Sequence, residues 1–237
     1  MDILMRYHRN HEDGSVLFII LVAVVLIGAL SAAVINSSDS DGAQIDDESL
    51  NIQVSEVQRY GSELERAVTY VLRNGHSEAD IRFAHPDAPT GYGDLSADGD
   101  RSDQVFHRDG GGAAYRTPPE RVNDGSGWEF YGVSALPSVG SDRADLIAVL
   151  PNVRKQFCDE INTLNQQTLD PADTAACLSA GTADIFNDTT QFSSSPNTLD
   201  GATFTQDPNT SAPRTALQAC VVCDSGEYHF YHVLMVR

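Results

Sequence analysis

The chain has 237 residues, of which 34 are Asp or Glu and 15 are Lys or Arg, giving a formal net charge of -19. Such a field repels phosphate backbones and anionic headgroups, which excludes nucleic acid as a partner class. The length suffices for an anchor plus one compact domain with its own core, and the acids are scattered like a solvated surface rather than gathered as a tail.

The first predicted element is apolar. Val16 to Ile35 are twenty consecutive residues without charge or proline, and fourteen of them are Leu, Ile, Val or Phe. Insertion of those fourteen is favourable by about 4–8 kcal/mol, and twenty helical residues reach about 30 Å, so the sequence predicts a membrane helix. Arg6 and Arg9 precede it, whereas Asp39, Asp41, Asp46, Asp47 and Glu48 follow it. The bias of arginine toward the first side, to which Asp2, Glu12 and Asp13 matter little, predicts a cytoplasmic N-terminus and an external remainder. A cleaved signal peptide is the competing reading, since Ala29, Ser31, Ala32 and Ala33 mimic a small-residue cleavage site.

From Asp46 the pattern becomes amphipathic. Leu50, Val54, Val57, Leu64, Val68 and Val71 recur at helical spacings, Tyr60 lies near the missing step, and Glu and Arg fill the other faces. Asp46, Asp47 and Glu48 suit the positive end of a helix, and Asn74-Gly75 marks its stop.

A charged leader from Met1 to Gly14, then Ser15-Val-Leu-Phe-Ile-Ile-Leu-Val-Ala-Val-Val-Leu-Ile-Gly28, then an amphipathic continuation, resembles type IV pilins and the pseudopilins of type II secretion. A looser likeness is to pilin-like proteins of alphaproteobacteria that open on a glycine and an apolar run. The resemblance implies an α+β fold, with one long helix, half transmembrane and half amphipathic, on a small antiparallel sheet. It also implies a leader of 1–14, a membrane and assembly helix of 15–37 and an external domain of 38–237. Cleavage by a prepilin peptidase between Gly14 and Ser15 is expected, followed by methylation of the new N-terminus. The implied function is that of a filament subunit, held in the bacterial inner membrane with its domain in the periplasm until assembly or carried in an extracellular filament. Its implied partners are the membrane, the pilus or secretion machinery and its own copies through Ile19, Gly28, Ala29 and Ala32. Two positions depart from the family pattern: Ile19 stands where a glutamate is usual, and Asp13 where a basic residue is usual.

Beyond Gly75 the sequence predicts short strands at Asp80–Phe83, Val105–Phe106, Ala113–Arg116 and Trp128–Val133, separated by glycine-rich turns. Asp145–Leu150 reads as a buried strand or helix start, and Val153–Leu164 as a helix with Val153, Phe157, Ile161 and Leu164 on one face. Thr182–Pro213, poor in periodicity, reads as a long surface loop. A hairpin over Thr215–Val222 and Tyr228–Val236 closes the chain.

Four cysteines, Cys158, Cys177, Cys220 and Cys223, on the external side predict two disulfides with three possible connectivities. We favour Cys158–Cys177 with Cys220–Cys223; the competing reading makes Cys220-Val-Val-Cys223 a redox or metal pair. Asp94, Asp98, Asp100 and Asp103 lie on one loop and suit the six to eight oxygens of Ca²⁺, but their spacing departs from the EF-hand and Arg101 interrupts them. His229 and His232 share a strand and face opposite sides, a poor geometry for one metal. No motif points to an enzyme or a cofactor. The competing functional class is a monomeric binding or sensing domain on a membrane tether.

Overall fold

A computed structural model describes residues 13–89, 91–93, 95, 99–173, 177–179, 185–214 and 216–237, with only the helical course given for 13–17 and 29–47. The chain divides into two units, Met1–Ser49 and Leu50–Arg237. This boundary lies inside the first helix, α1 (Asp13–Arg73).

In the second unit the α1 residues Val54, Val57, Tyr60, Leu64, Val68 and Val71 are buried in the common core, as their three- and four-residue spacing dictates. The helix ends where a residue without Cβ is needed. Asn74 N donates to Tyr70 O, Gly75 N donates to Leu72 O, and Gly75 adopts φ +98°.

The sheet comprises β1 (Glu129–Ala135), β2 (Asp145–Leu150), β3 (Ala172–Asp173), β4 (Asn197–Thr198), β5 (Gln218–Cys223) and β6 (Tyr228–Met235), in the order β3-β5-β6-β2-β1-β4. The four central strands are antiparallel, whereas β3 and β4 pair parallel with β5 and β1 at the two edges. β2 is buried along its whole length, because its continuous apolar run serves both faces. The β5–β6 turn is closed by Cys223 N donating to Glu227 O and by Gly226 at φ +85°.

Strand register sorts the faces. Cys220 pairs with Phe230, which pairs with Leu150, and Phe130 pairs with Ala148, which pairs with His232, so these share one face. The second half of α1 covers it: Tyr60 meets Trp128 edge to face at 5.4 Å, and Trp128 meets Phe230 at 6.1 Å. The second helix, α2 (Lys155–Leu164), lies on the same face through Phe157, whose ring is 5.9 Å from Phe230. Tyr131, Ile147, Val149, Tyr231, Val233 and His229 belong to the opposite face.

The expected architecture is corrected here. The sheet is six-stranded and mixed rather than small and antiparallel, and α1 is exposed throughout 18–28. Among the described residues, no helix is long and apolar enough to cross a membrane. Three of the four expected strands between Gly75 and Val133 are also absent. Asp80 instead closes a 3₁₀ turn, its carboxylate accepting from Ser77 N and Oγ at 2.8 and 2.7 Å, and Arg82 keeps a single isolated bridge to Gln104. Phe83, Phe106 and Tyr115 are drawn into an aromatic cluster around Phe130, which stacks on Phe83 at 4.0 Å. Gly111 lets this irregular chain lie on α1, since a Cβ there would stand 2.7 Å from Val105 O and 2.9 Å from Ala67 Cβ. The expected loop over 182–213 is no surface loop where it is described: Ile185, Phe186, Leu199 and Phe204 are buried, and Phe186 N donates to Phe130 O along the β1 edge.

Candidate functional site

Residues 18–28 of α1 combine a uniform chemistry with full exposure. Every side chain from Phe18 to Ile27 is apolar, and the large ones are 39–67% exposed. Ile19 is 61% exposed, and a Cβ added at Gly28 would meet nothing within 4 Å. At 100° per residue, nine steps place Ile19 and Gly28 about 180° apart, so the two sequence-predicted contacts lie on opposite sides of the helix. A helix that is apolar all round is stable only when covered all round, whereas a one-sided stripe would need a single neighbour. Gly14, Ser15, Ala29 and Ala32 lie in α1, but their surroundings fall outside the described residues, as does the leader before Asp13.

In the second unit the cysteines pair as Cys158–Cys220 and Cys177–Cys223. The favoured pairing of nearest neighbours in sequence is therefore wrong, and so is the reading of Cys220 and Cys223 as a functional pair. Three residues apart on β5, they point to opposite faces and are claimed by different elements. Cys158 brings α2 onto the α1 side of the sheet; Cys177 brings the chain after β3 onto the other side. Asn162, which sequence reading passed over, seals the first junction. Fully buried, it donates through Nδ2 to Leu169 O and Cys220 O and accepts at Oδ1 from Cys220 N at 2.8 Å. Its only sequence signal was a polar residue one step from the apolar face of α2.

His229 and His232 take up different environments, in keeping with their opposite faces. His232 packs against Gly61, where a Cβ would come within 2.7 Å of the ring, and its Nε2 lies 3.4 Å from Glu65 Oε2. Burial pushes its pKa below the usual histidine range, and Glu65 opposes that shift. It borders a cavity of about 340 Å³ lined also by Asn165, Ala216, Leu217 and Gln218. His229 is likewise held low by burial, against the fields of Glu227, Asp173 and Asp124. A second cavity of about 240 Å³ lies beside Phe192 and Arg237, whose guanidinium sits 3.9 Å above the Phe192 ring and 2.8 Å from Glu78.

The acidic loop does not assemble as a cation site within the described residues. Asp94 and Asp98 lie outside them. Asp100 is spent on the chain itself, accepting from Ser102 N and Oγ at 3.0 and 2.7 Å, which holds its pKa below the usual carboxylate range. Among the described residues, the one group of three or more potential ligands close together is Cys177, Cys223 and His229.

No family model, curated protein or solved structure matches the chain.

Proposed function

We propose that the chain is a structural subunit of a type IV pilus-like or pseudopilus-like filament, self-associating through the apolar part of α1. The observation that carries the reading is the exposure, on every side, of Phe18 to Gly28. Eleven helical residues span about 16 Å, and leaving all their side chains in water is unfavourable by about 0.8 kcal/mol per CH₂. Copies of the same helix can cover one another on all sides, and the small side chains of Ala23 and Gly28 permit close approach. The Gly14-Ser15 junction ahead of the apolar run and the amphipathic helix after it support the same reading. Two disulfides in the second unit favour an oxidising location, in keeping with an extracellular filament.

Intact mass of the purified chain tests the processing step: loss of residues 1–14 with gain of one methyl group is expected. Electron microscopy of shed material then tests assembly. Val25→Glu places a charge in the apolar segment and is expected to abolish filaments while leaving the unfolding of the second unit unchanged. An unprocessed Met1 together with a monomeric chain sinks the filament reading and leaves a tethered binding domain in its place.

A further inference from the structure

We infer that Cys177, Cys223 and His229 form a reduction-gated binding site for a thiophilic divalent cation of the zinc class. The inference is independent of the filament reading, because it rests wholly on the second unit.

The three ligand atoms, two sulfurs and one imidazole nitrogen, lie within 4.8 Å of one another. Tetrahedral zinc, with bonds of about 2.3 Å to sulfur and 2.0–2.1 Å to nitrogen, requires ligand separations of about 3.5–3.8 Å. The imidazole nitrogen therefore needs to approach by no more than about 1 Å, while the two bonded sulfurs must part. A second observation points the same way: Nδ1 of His229 is buried and has no hydrogen-bond partner among the described residues, although the residue is only 4% exposed. A buried imidazole nitrogen without a partner is unfavourable, and a metal bond would satisfy it.

Neighbouring groups hold the site together. Asp173 lies opposite Cys223 in the β3–β5 register, and its Oδ2 accepts from Leu178 N at 2.6 Å, keeping the 177–179 turn against β5. Access also differs between the two disulfides. Cys158 and Cys220 are 0% and 1% exposed, whereas Cys177 is only partly buried, so a reductant reaches the second bridge first.

The chemistry balances with an external dithiol as reductant. Its two electrons and two protons break the Cys177–Cys223 bond and leave two thiols, while the reductant becomes a disulfide. The cation then displaces both thiol protons to solvent and accepts the neutral imidazole as third ligand, leaving a fourth position for water. An external disulfide, as two-electron oxidant, reverses the process: it takes the electrons of the two thiolates and two protons from solvent to become a dithiol, while the Cys177–Cys223 bond re-forms and the metal is expelled.

The full-length chain, reduced under mild anaerobic conditions, is titrated with Co²⁺ as a spectroscopic probe and with Zn²⁺ for stoichiometry by native mass spectrometry. Alkylation mapping reports which bridge has opened. Opening of Cys177–Cys223 alone, one metal per reduced chain, thiolate-to-cobalt absorption and no such absorption from the oxidised chain are expected. Cys177→Ser and Cys223→Ser should each abolish that absorption. His229→Gln should weaken binding by at least about 10–100-fold, the loss that removal of even an outer partner causes. Failure of the reduced chain to bind metal, undiminished binding in His229→Gln, or prior opening of Cys158–Cys220 overturns the inference. A reduced chain that loses its near-ultraviolet circular dichroism and regains none of it with Zn²⁺ overturns it as well.

Discussion

The two ends of α1 solve the same problem in opposite ways. Over Val54–Val71 the apolar side chains fall on one stripe, and the chain supplies its own cover: Trp128, Phe230 and the irregular segment around Gly111 close over them. Over Phe18–Gly28 the apolar side chains surround the helix, and within the described residues the chain leaves them exposed. Periodicity separates the two cases. A stripe of period 3.6 is complete once folded, whereas an unbroken run is a request for neighbours.

Three paired measurements would break or sharpen this contrast, each using the fluorescence of Trp128, the only tryptophan, to follow unfolding of the second unit. The largest difference is expected between Leu64→Ala and Leu26→Ala. Leu64 is fully buried, and its truncation should destabilise the unit by about 2–5 kcal/mol. Leu26 is 63% exposed, and its truncation should leave the same transition within about 0.5 kcal/mol. Equal effects would show that both ends serve one core.

Glycines give the next pair. Alanine favours a helix over glycine by about 1 kcal/mol, so Gly28→Ala, with nothing within 4 Å of the new Cβ, should not destabilise the chain. Gly61→Ala forces a methyl against the His232 ring and should destabilise by about 1–3 kcal/mol despite the same helical gain. Chemical denaturation of the two variants side by side tests this, and a stabilised Gly61→Ala would refute the close approach.

The smallest effect is that of pH. Segment 18–28 contains no titratable side chain, so acid acts through the second unit, where His229 and His232 are held below the usual histidine range. The folded state then binds fewer protons than the unfolded one. Stability is full above the unfolded value of about 6.5 and is lost as pH falls through the folded values, by at most about 1.4 kcal/mol per pH unit for each histidine. His232→Gln should flatten the slope between pH 7 and pH 5, as measured by denaturant midpoints. Glu129 and Asp145 act in the other direction: burial raises both, so their contribution is present in acid and is lost as pH rises from about 4.

What could be read from the sequence was local. The stripe of α1, its stop at Gly75, the apolar run of β2 and the β5–β6 hairpin each follow from local spacing, as does the α2 face at Phe157 and Ile161, though its expected member Leu164 is 53% exposed and Val153 precedes the helix. What failed depends on distant partners. Val105–Phe106 and Ala113–Arg116 have strand-like composition, yet Phe106 packs on Phe130, Tyr115 packs on Phe106 and His85, and the Arg116 N–H donates to the Tyr60 hydroxyl instead of joining a ladder. Phe186 and Phe204 sit among Ser, Thr, Asn and Asp, and nothing in that composition reveals that the sheet takes them in. Cysteine pairing and the role of Asn162 were hidden for the same reason, since both join α2 to a strand 58–62 positions away. For the apolar end of α1, the residues disclosed the request but not who answers it.

The two disulfides interlock along the chain: the first cysteine joins the third, and the second joins the fourth. A chain made from its N-terminus presents Cys158 and Cys177 long before either true partner exists. In an oxidising compartment those two early thiols can be joined to each other, and such a bridge must be undone by exchange once β5 arrives. The order of emergence thus works against the native connectivity. Correct maturation depends either on keeping the early cysteines reduced until β5 has appeared or on a catalyst of thiol exchange that waits for it.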